Sequence, residues 1–215
     1  LHERDTYNQA FLQLENLWTQ DEKVKKFSLA KRFGKIAADL LGVDAVRIYH
    51  DQALFKEAGG GHTPWHQDQY YWPIDTEKTV TMWMPLVDAS IEMGTLVFAD
   101  GTHRKGPLAS LAISDESEKL FRKSVMENNF RLQINEMAAG DATWHYGWTL
   151  HKAPGNASKK MREVMTIIFV ADGAKVKEFQ TEKQPRERDR WMPGLQPGDL
   201  VNSSINPIVY KDEAT

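Results

Sequence analysis

Two runs of apolar residues in the first part of the chain recur at intervals of three and four positions. The first run consists of Phe11, Leu14, Leu17 and Trp18, and the second of Phe33, Ile36, Ala37, Leu40 and Leu41. Such spacing is typical of amphipathic helices and predicts helix over residues 8–41. Gly42 directly follows the second run and is expected to end it, because glycine adopts the left-handed conformation without strain.

From Asp44 onwards, short apolar segments alternate with Gly, Pro, Asn and Asp, which is typical of a protein rich in β-strands. The predicted strands are Ala45–Lys56, Thr79–Val87, Thr95–Ala99, Phe130–Ile134, Ala142–Tyr146 and Arg162–Ala171. One further helix is expected over Asp115–Glu127, because Ser114 precedes it as a capping residue and acidic residues occupy its first turn.

This order of elements predicts a mainly β protein with flanking helices, built on a double-stranded β-helix core of the jelly-roll, cupin-like type. A chain of 215 residues fits a single domain. We divide it into a helical flank (1–43), a β-helix core (44–172) and a loop-rich C-terminal wrap (173–215). Because the chain opens at Leu1 with neither methionine nor signal features, we expect its N-terminus to be incomplete.

The composition removes several classes of function. The absence of cysteine excludes a disulfide scaffold, a cysteine zinc site, an iron–sulfur cluster and a thiol nucleophile. The formal net charge of −3, with scattered Lys and Arg, argues against nucleic acid as a partner. No apolar run approaches the ~20 residues of a membrane span. We therefore expect a cytoplasmic protein without a nucleic-acid or membrane partner, with an oligomeric state that the sequence does not define.

Only one of the seven histidines begins a His-x-acid triplet, His66-Gln67-Asp68. Alternate residues of a strand project from the same face, so the His66 and Asp68 side chains could bind one metal ion. Such a triplet is expected by chance in a chain of this composition, and a third ligand is needed to give it meaning. A set of two histidines and one carboxylate would leave coordination positions open for substrate and O₂.

The candidate third ligand is His151, with His145 as its rival six residues earlier. Arg162 follows and opens the most apolar predicted strand. An unpaired guanidinium is costly in such a place, and the carboxylate of a ligand would satisfy it. The alternative for Arg162 is a salt bridge within the core, with Asp141 or Glu163 as its partner.

Several segments occur together in a characteristic order and spacing. They are Trp65–Trp72, Met93–Leu96, Gly101–His103, the set His151, Asn156 and Arg162, and the tail Trp191–Gly194. In these segments the chain resembles the phytanoyl-CoA dioxygenase family of Fe(II)/2-oxoglutarate-dependent oxygenases. The resemblance covers roughly residues 45–172 and supports the double-stranded β-helix fold.

The resemblance implies roles for individual residues. It implies that His66, Asp68 and His151 are the catalytic iron ligands, and that Arg162 pairs with the distal carboxylate of 2-oxoglutarate. It places Trp83 near a position that lines the cosubstrate pocket. The implied activity is hydroxylation of a small organic substrate by O₂, with oxidative decarboxylation of 2-oxoglutarate to succinate and CO₂. The carboxylate of Asp68 favours this reaction over halogenation.

One position departs from the family pattern. Family members often have serine two residues after the distal histidine, where its hydroxyl holds 2-oxoglutarate, whereas this chain has Ala153. A hydrogen bond of ~0.5–1.5 kcal/mol is expected to be lost. Thr149 or Thr166 could compensate for it.

Two strand faces suggest further site residues. His50 and Lys56 share one face of the predicted strand Ala45–Lys56, and facing inward they would border the cosubstrate, as is typical of the family. The alternative is a bulge that turns these polar residues outward. Tyr70 has the strand parity of His66 and Asp68 and is the expected substrate-pocket residue.

Other readings of the same residues remain open. The basic run from Lys183 to Arg190 is expected to be a solvated face, although it could gather an anionic substrate such as a CoA ester. The same ligand set could serve a metal-dependent hydrolase on a cupin-like fold, or a family member that binds a ligand without turnover. Dependence on 2-oxoglutarate separates these alternatives from an oxygenase.

Overall fold

A computed structural model describes residues 10–213, and it is mainly β with antiparallel strands. Its strands are β1 (Leu12–Glu15), β2 (Ala45–Lys56), β3 (Thr63–His66), β4 (Thr79–Pro85), β5 (Val97–Ala99), β6 (Leu132–Ile134), β7 (Thr143–Tyr146), β8 (His151–Ala153), β9 (Arg162–Ala171) and β10 (Ile208–Lys211). Its α-helices are α1 (Glu22–Ser28), α2 (Lys31–Leu41), α3 (Asp115–Glu127) and α4 (Gln184–Trp191).

Two antiparallel sheets form the jelly-roll. The larger has the order β1-β2-β9-β4-β7, with β10 also paired to β2, and the smaller has the order β3-β8-β5-β6. Apart from β1–β2 and β5–β6, neighbouring strands in each sheet are not consecutive along the chain, as expected for a double-stranded β-helix in which the chain passes between sheets. The predicted fold class is confirmed.

Alternation along the central strands separates an apolar outer face from the inner face of the larger sheet. The outer face packs against α2, where Phe33, Ala37 and Leu41 contact a core that includes Ile167 and Phe169. The smaller sheet is covered by α3, whose Phe121 and Val125 pack with Trp65 and Leu150. The helices thus cover the outer surfaces of both sheets and leave the space between the sheets for a site.

A β-bulge in β2 determines which of its residues reach that space. The register against β9 runs from Ile48 opposite Phe169 to His50 opposite Ile168, so Tyr49 is the additional residue. Ile48 belongs to the outer core, whereas His50 faces the inner cavity. A bulge is present, but it turns His50 inward. The alternative in which a bulge turns the polar residues of this strand outward is therefore wrong for His50.

The side chain of Asn206 holds this bulge in place. Its amide nitrogen lies 3.2 Å from Ile48 O, 3.0 Å from Tyr49 O and 3.0 Å from Trp191 O. Asn206 is fully buried, so the three carbonyl oxygens have no water to bond instead. One amide thus joins the bulge to the end of α4.

The prediction of helix over residues 8–41 is only partly correct. The chain forms β1, a 3₁₀ turn at Leu17–Thr19 and the two helices α1 and α2, while residues 8 and 9 lie outside the described residues. β1 pairs with β2, and this edge of β2 supplies hydrogen bonds that override the local apolar spacing. The first helix begins only at Asp21, whose carboxylate accepts the backbone N–H groups of Lys23 and Val24.

Several boundaries are confirmed, and four strands were not predicted. β2 and β9 have the expected bounds, and Gly42 ends α2 with φ of 61°. Ser114 and Ser117 form a reciprocal capping box at the start of α3. The strands β1, β3, β8 and β10 were missed. Each has only three or four residues, and the equally short β5 and β6 were found only within longer predicted segments. Among residues 10–213, no helix has the length and apolar character needed to cross a membrane.

Replacement of Asn206 by Ala is expected to lower the free energy of unfolding by about 1–3 kcal/mol, because three buried carbonyl groups lose their donor. Urea unfolding followed by circular dichroism would measure this loss. The matched control is Asn202→Ala, which alters an exposed asparagine of the same segment. Equal stability of the two variants would contradict the role of Asn206.

Candidate metal centre and cosubstrate cavity

A cavity of 570 Å³ lies between the two sheets. The larger sheet lines it with residues of β2, β4, β7 and β9, and the smaller sheet with residues of β3 and β8. Helix α4 and the segment that follows β3 cover its remaining side. Of the residues predicted from sequence for the site, the cavity brings together His50, His66, Asp68, Trp83, His151 and Arg162.

His66, Asp68 and His151 form one cluster in this cavity. Each offers a ligand atom, and these atoms all lie within 4.8 Å of one another. Nε2 of His66 is 3.4 Å and Nε2 of His151 is 3.8 Å from the same Asp68 oxygen. His66 and His151 face each other across the β3–β8 pair. The sequence predicted that Asp68 and His66 share one face of a strand. Asp68 instead begins a 3₁₀ turn after β3, and this turn brings its carboxylate to His66.

Both histidines are oriented by the same local device. Nδ1 of His66 lies 2.8 Å from the carbonyl oxygen of Pro64, and Nδ1 of His151 lies 2.9 Å from that of Thr149. A carbonyl oxygen only accepts hydrogen bonds, so Nδ1 carries the proton in each ring. The lone pair of each neutral imidazole is therefore on Nε2, which faces the cluster. Backbone carbonyl groups commonly orient metal-binding histidines in this way.

The electrostatics of the cluster favour an ionised Asp68 carboxylate beside a neutral His151 imidazole. Burial alone would raise the pKa of Asp68, but His151, His145 and His66 outweigh it and hold that pKa well below its usual range. Burial and the neighbouring His66 lower the pKa of His151 well below its usual range. Metal ions bind these protonation states of Asp and His.

His145, the rival of His151 in the sequence, approaches the other oxygen of the same carboxylate. Its Nε2 lies 3.5 Å from Asp68 Oδ2, and its ring centroid lies 4.5 Å from that of His151. Neither ring nitrogen of His145 has a hydrogen-bond partner among the described residues. The geometry thus groups His151 with His66 around one carboxylate oxygen and leaves His145 beside the second.

Arg162 is buried at one end of the cavity with only 1% of its surface exposed. It donates a hydrogen bond to Gly94 O and lies with its guanidinium carbon 5.3 Å from the Trp83 ring centroid. Its Nε has no partner. Within residues 10–213, no carboxylate forms an ion pair with it, so neither Asp141 nor Glu163 satisfies the charge as the alternative required.

Lys56 lies beside Arg162 as a second buried cation. The two residues are register partners on β2 and β9, and Lys56 is fully buried. Its Nζ donates to Gly61 O and Pro154 O, at 2.8 Å each. Burial, together with the charge of Arg162, lowers the pKa of Lys56 to about 7. Lys56 does not line the cavity. The strand pattern had suggested that it would border the cosubstrate.

His50 reaches the cavity and supports its cover. Its ring stacks on Trp191 of α4 with centroids 3.8 Å apart and an interplanar angle of 16°. Burial lowers the pKa of His50 to about 3, so the imidazole is neutral. Trp83 lines the cavity as expected.

The predicted substrate residue Tyr70 does not line the cavity, whereas its neighbours Tyr71 and Trp72 do. The prediction assumed that the strand continues past His66, but a 3₁₀ turn spans Asp68–Tyr70 and changes the periodicity. Tyr71 also accepts a hydrogen bond of 2.6 Å from the backbone of Ile113. Sequence patterns gave no signal for Tyr71 or for the cover by α4, because both depend on contacts between distant segments.

Neither threonine expected to compensate for the hydroxyl missing at Ala153 presents an unpaired hydroxyl to the cavity. Thr166 lines the cavity, but its hydroxyl lies 3.3 Å from Gln52 O as a donor, and Thr149 does not line the cavity. Thr63 is the register partner of Ala153 across β3 and β8. Thr63 lines the cavity, and its buried hydroxyl has no hydrogen-bond partner among the described residues.

Comparisons with known proteins agree with this architecture. A family model described as phytanoyl-CoA dioxygenase matches residues 2–164. The non-heme alpha ketoglutarate dependent carbocyclase SnoK from nogalamycin biosynthesis has a TM-score of 0.77 and 20% identity over 92% of this chain and 76% of its own. The epimerase SnoN from nogalamycin biosynthesis has a TM-score of 0.75 and 19% identity over 93% of this chain and 77% of its own.

A third similar structure is EctD from S. alaskensis with 2-oxoglutarate and 5-hydroxyectoine. It has a TM-score of 0.71 and 17% identity over 89% of this chain and 67% of its own. Similarity at these identities shows the shared fold.

The buried ammonium group of Lys56 is expected to make stability depend on pH. The folded-state pKa is about 7 and the unfolded value is near 10.5, so the unfolded chain binds the extra proton between these values. The free energy of unfolding should therefore rise between pH 7 and pH 10, by at most about 1.4 kcal/mol per pH unit from this group. Urea unfolding at pH 7, 8 and 9 measures the slope.

Lys56→Met should flatten that slope, because the titrating group is removed. Lys119→Met, which replaces an exposed lysine of α3, is the matched control and should keep it. Parallel pH profiles for Lys56→Met and the wild-type protein would contradict the assigned titration.

Proposed function

The chain belongs to the phytanoyl-CoA dioxygenase family of Fe(II)/2-oxoglutarate-dependent enzymes, and on this premise we propose that it hydroxylates a small organic molecule with iron held by His66, Asp68 and His151. The observation that carries the assignment is the pair of Nδ1 hydrogen bonds to backbone carbonyl groups. These bonds leave two Nε2 lone pairs beside one ionised carboxylate oxygen.

The donor set fits Fe(II). Two imidazole nitrogens and one carboxylate on a single face are the ligands of non-heme iron oxygenases, with further coordination positions open. His145 contacts the second oxygen of Asp68 and would fix the orientation of the carboxylate. No cysteine is present, so no thiolate ligand, which would favour zinc or copper(I), is available.

The unpaired cation of Arg162 fits 2-oxoglutarate. A guanidinium buried without a carboxylate, with a free Nε, is the partner that the distal carboxylate of the cosubstrate would satisfy. Trp83 lies against the guanidinium and would flank the carbon chain of the cosubstrate. His50, neutral and stacked on Trp191, would border the cosubstrate from β2.

Bound iron and 2-oxoglutarate supply the oxidising chemistry, in which O₂ converts 2-oxoglutarate to succinate and CO₂ and the substrate C–H to C–OH. The protein's own residues bind, orient and exclude water. His66, Asp68 and His151 hold the metal, and Arg162 fixes the far end of the cosubstrate. The walls of Trp72 and Trp191 keep water from the reacting centre and hold the substrate near it.

We further propose that the chain acts as one oxygenase domain in the cytoplasm, with a small molecule as its substrate and no nucleic acid or membrane as a partner. The scattered basic residues argue against nucleic acid as a partner. The cavity of 570 Å³ supports a small substrate.

Anaerobic titration with Fe(II) followed by 2-oxoglutarate is expected to give the visible charge-transfer band of an iron–2-oxoglutarate chelate. Asp68→Ala should give no band at any 2-oxoglutarate concentration, because one iron ligand is lost. Arg162→Gln should keep iron binding but require at least tenfold more 2-oxoglutarate for half of the band, because the distal carboxylate loses its cation. Lys119→Gln serves as the control and should behave as the wild-type protein.

A wild-type protein without the band, but with tight binding of another metal, would overturn the oxygenase assignment in favour of a hydrolase. Full substrate hydroxylation by Asp68→Ala would overturn the ligand assignment.

A further inference from the structure

Helix α4 covers the open side of the cavity with positive charge. Lys183, at the start of the helix, and Arg186 and Arg190 all line the cavity. Residues three, four and seven positions apart lie on one face of a helix. Arg188 lies off this face, bonded to Leu195 O and Asp189. These three cations of the basic run are exposed, as the sequence suggested, but they also border the cavity.

Two of these three cations have no acidic partner in the part of the chain that the structure describes. Arg190 is paired with Glu15 of β1, with Nε 2.6 Å from Oε2. Glu187, the acidic residue of α4 that lines the cavity, accepts the indole N–H of Trp191 at 2.7 Å. Lys183 and Arg186 are exposed, line the cavity and have no acidic partner among residues 10–213, so both are available to an anion at its mouth.

The surface beside these cations is apolar and aromatic. Tyr71, Trp72, Ile113 and Trp191 line the same region. The stack of Trp191 on His50 and the hydrogen bond from Asn206 to Trp191 O fix the end of α4 against β2. The cationic face is therefore presented by an anchored helix.

We propose that the substrate is a compact organic anion, in which an aliphatic or aromatic body lies against the tryptophans and a carboxylate or phosphate group is held by Lys183 and Arg186. This inference rests on the proposed function, because it concerns the substrate side of the same cavity. Cations that line a cleft with low-dielectric walls raise the local concentration of anions, and their effect is weakened by salt. The oxidised C–H bond then lies on the part of the substrate away from its anionic group.

Matched charged and neutral probes test the proposal on the protein loaded with Fe(II) and saturating 2-oxoglutarate, without O₂. Calorimetry would compare 3-phenylpropionate with 3-phenylpropanamide, octanoate with octanamide, and phenyl phosphate with phenol. At least one anion is expected to bind tenfold more tightly than its neutral analogue at 50 mM NaCl, with most of this preference lost at 500 mM. A preference in the carboxylate pairs would identify a carboxylate as the anionic group of the substrate, and a preference in the phosphate pair would identify a phosphate.

The double variant Lys183→Gln/Arg186→Gln should lose the preference, whereas Lys119→Gln should keep it. Equal binding of acid and neutral analogue by the wild-type protein, absence of binding by every anion, or an unchanged preference in the double variant would overturn the proposal. Failure of the proposed function is distinguishable, because it removes the iron–2-oxoglutarate band itself. The double variant is expected to retain that band.

A second inference rests on a separate observation, the unpartnered hydroxyl of Thr63. The threonine is buried and lines the cavity directly across the β3–β8 pair from Ala153. Lys56, the register partner of Arg162, bonds to Gly61 O and Pro154 O, next to these two residues. Thr63 and Ala153 thus lie at the same end of the fold as Arg162.

We infer that the Thr63 hydroxyl donates a hydrogen bond to the distal carboxylate of 2-oxoglutarate, in place of a hydroxyl at Ala153. A buried hydroxyl without a partner is costly, and a carboxylate held by Arg162 would supply the acceptor. This inference also rests on the proposed function, since it concerns the cosubstrate of that reaction.

Thr63→Val keeps the shape of the side chain and removes the hydroxyl. The Kd of 2-oxoglutarate, from anaerobic titration of the visible band, should rise about three- to tenfold, and Thr63→Ser should restore it. The matched control is Thr95→Val, which removes another buried, unpartnered hydroxyl outside the cavity and should leave the Kd unchanged. An unchanged Kd in Thr63→Val, or an equal rise in Thr95→Val, would overturn the assignment, whereas a missing band in the wild-type protein would overturn the proposed function instead.

Discussion

The buried charge of Arg162 is the interaction on which the rest of the cavity depends. A guanidinium that is removed from water and left without a carboxylate destabilises a folded protein strongly. Here the compensation within the described residues is one backbone carbonyl and the face of Trp83, and a second buried cation, Lys56, lies alongside. A neutral molecule in this end of the cavity would leave the imbalance unchanged. The acidic cosubstrate that we propose for this end of the cavity would therefore meet an energetic need of the fold as well as a chemical one.

A single additional residue in β2 makes the two faces of that strand serve different purposes. Before Tyr49, the strand contributes apolar side chains to the core under α2; after it, the same strand presents His50 and Gln52 to the cavity. Bulges are common beside active sites, since they redirect side chains without ending a strand. The amide of Asn206 joins this bulge to Trp191, so the shape of β2 and the position of the cover are coupled.

The sequence was most informative where chemistry restricts the residue type. The His66–Asp68 triplet alone is expected by chance, and it gained meaning only together with His151, Arg162 and the other segments that resemble the family in order and spacing. Tyr71 was missed in favour of Tyr70, because the 3₁₀ turn after His66 breaks the period of two that the prediction assumed. β1 was missed because its pairing with β2 is a long-range contact. The orientation of α4 was likewise invisible, since the contact between Trp191 and His50 has no local signature.

The strand order has a consequence for how the chain reaches its native state. The β2–β9 pair ends at the ion pair between Arg47 and Asp172, which are 125 residues apart. During synthesis, β2 and its apolar side chains leave the ribosome long before β9 exists to cover them. Folds dominated by such distant pairings fold slowly, and their unpaired strands are prone to aggregation while they wait. His66 is likewise made long before His151, so a nascent chain lacks the complete set of proposed iron ligands until most of its core has been made.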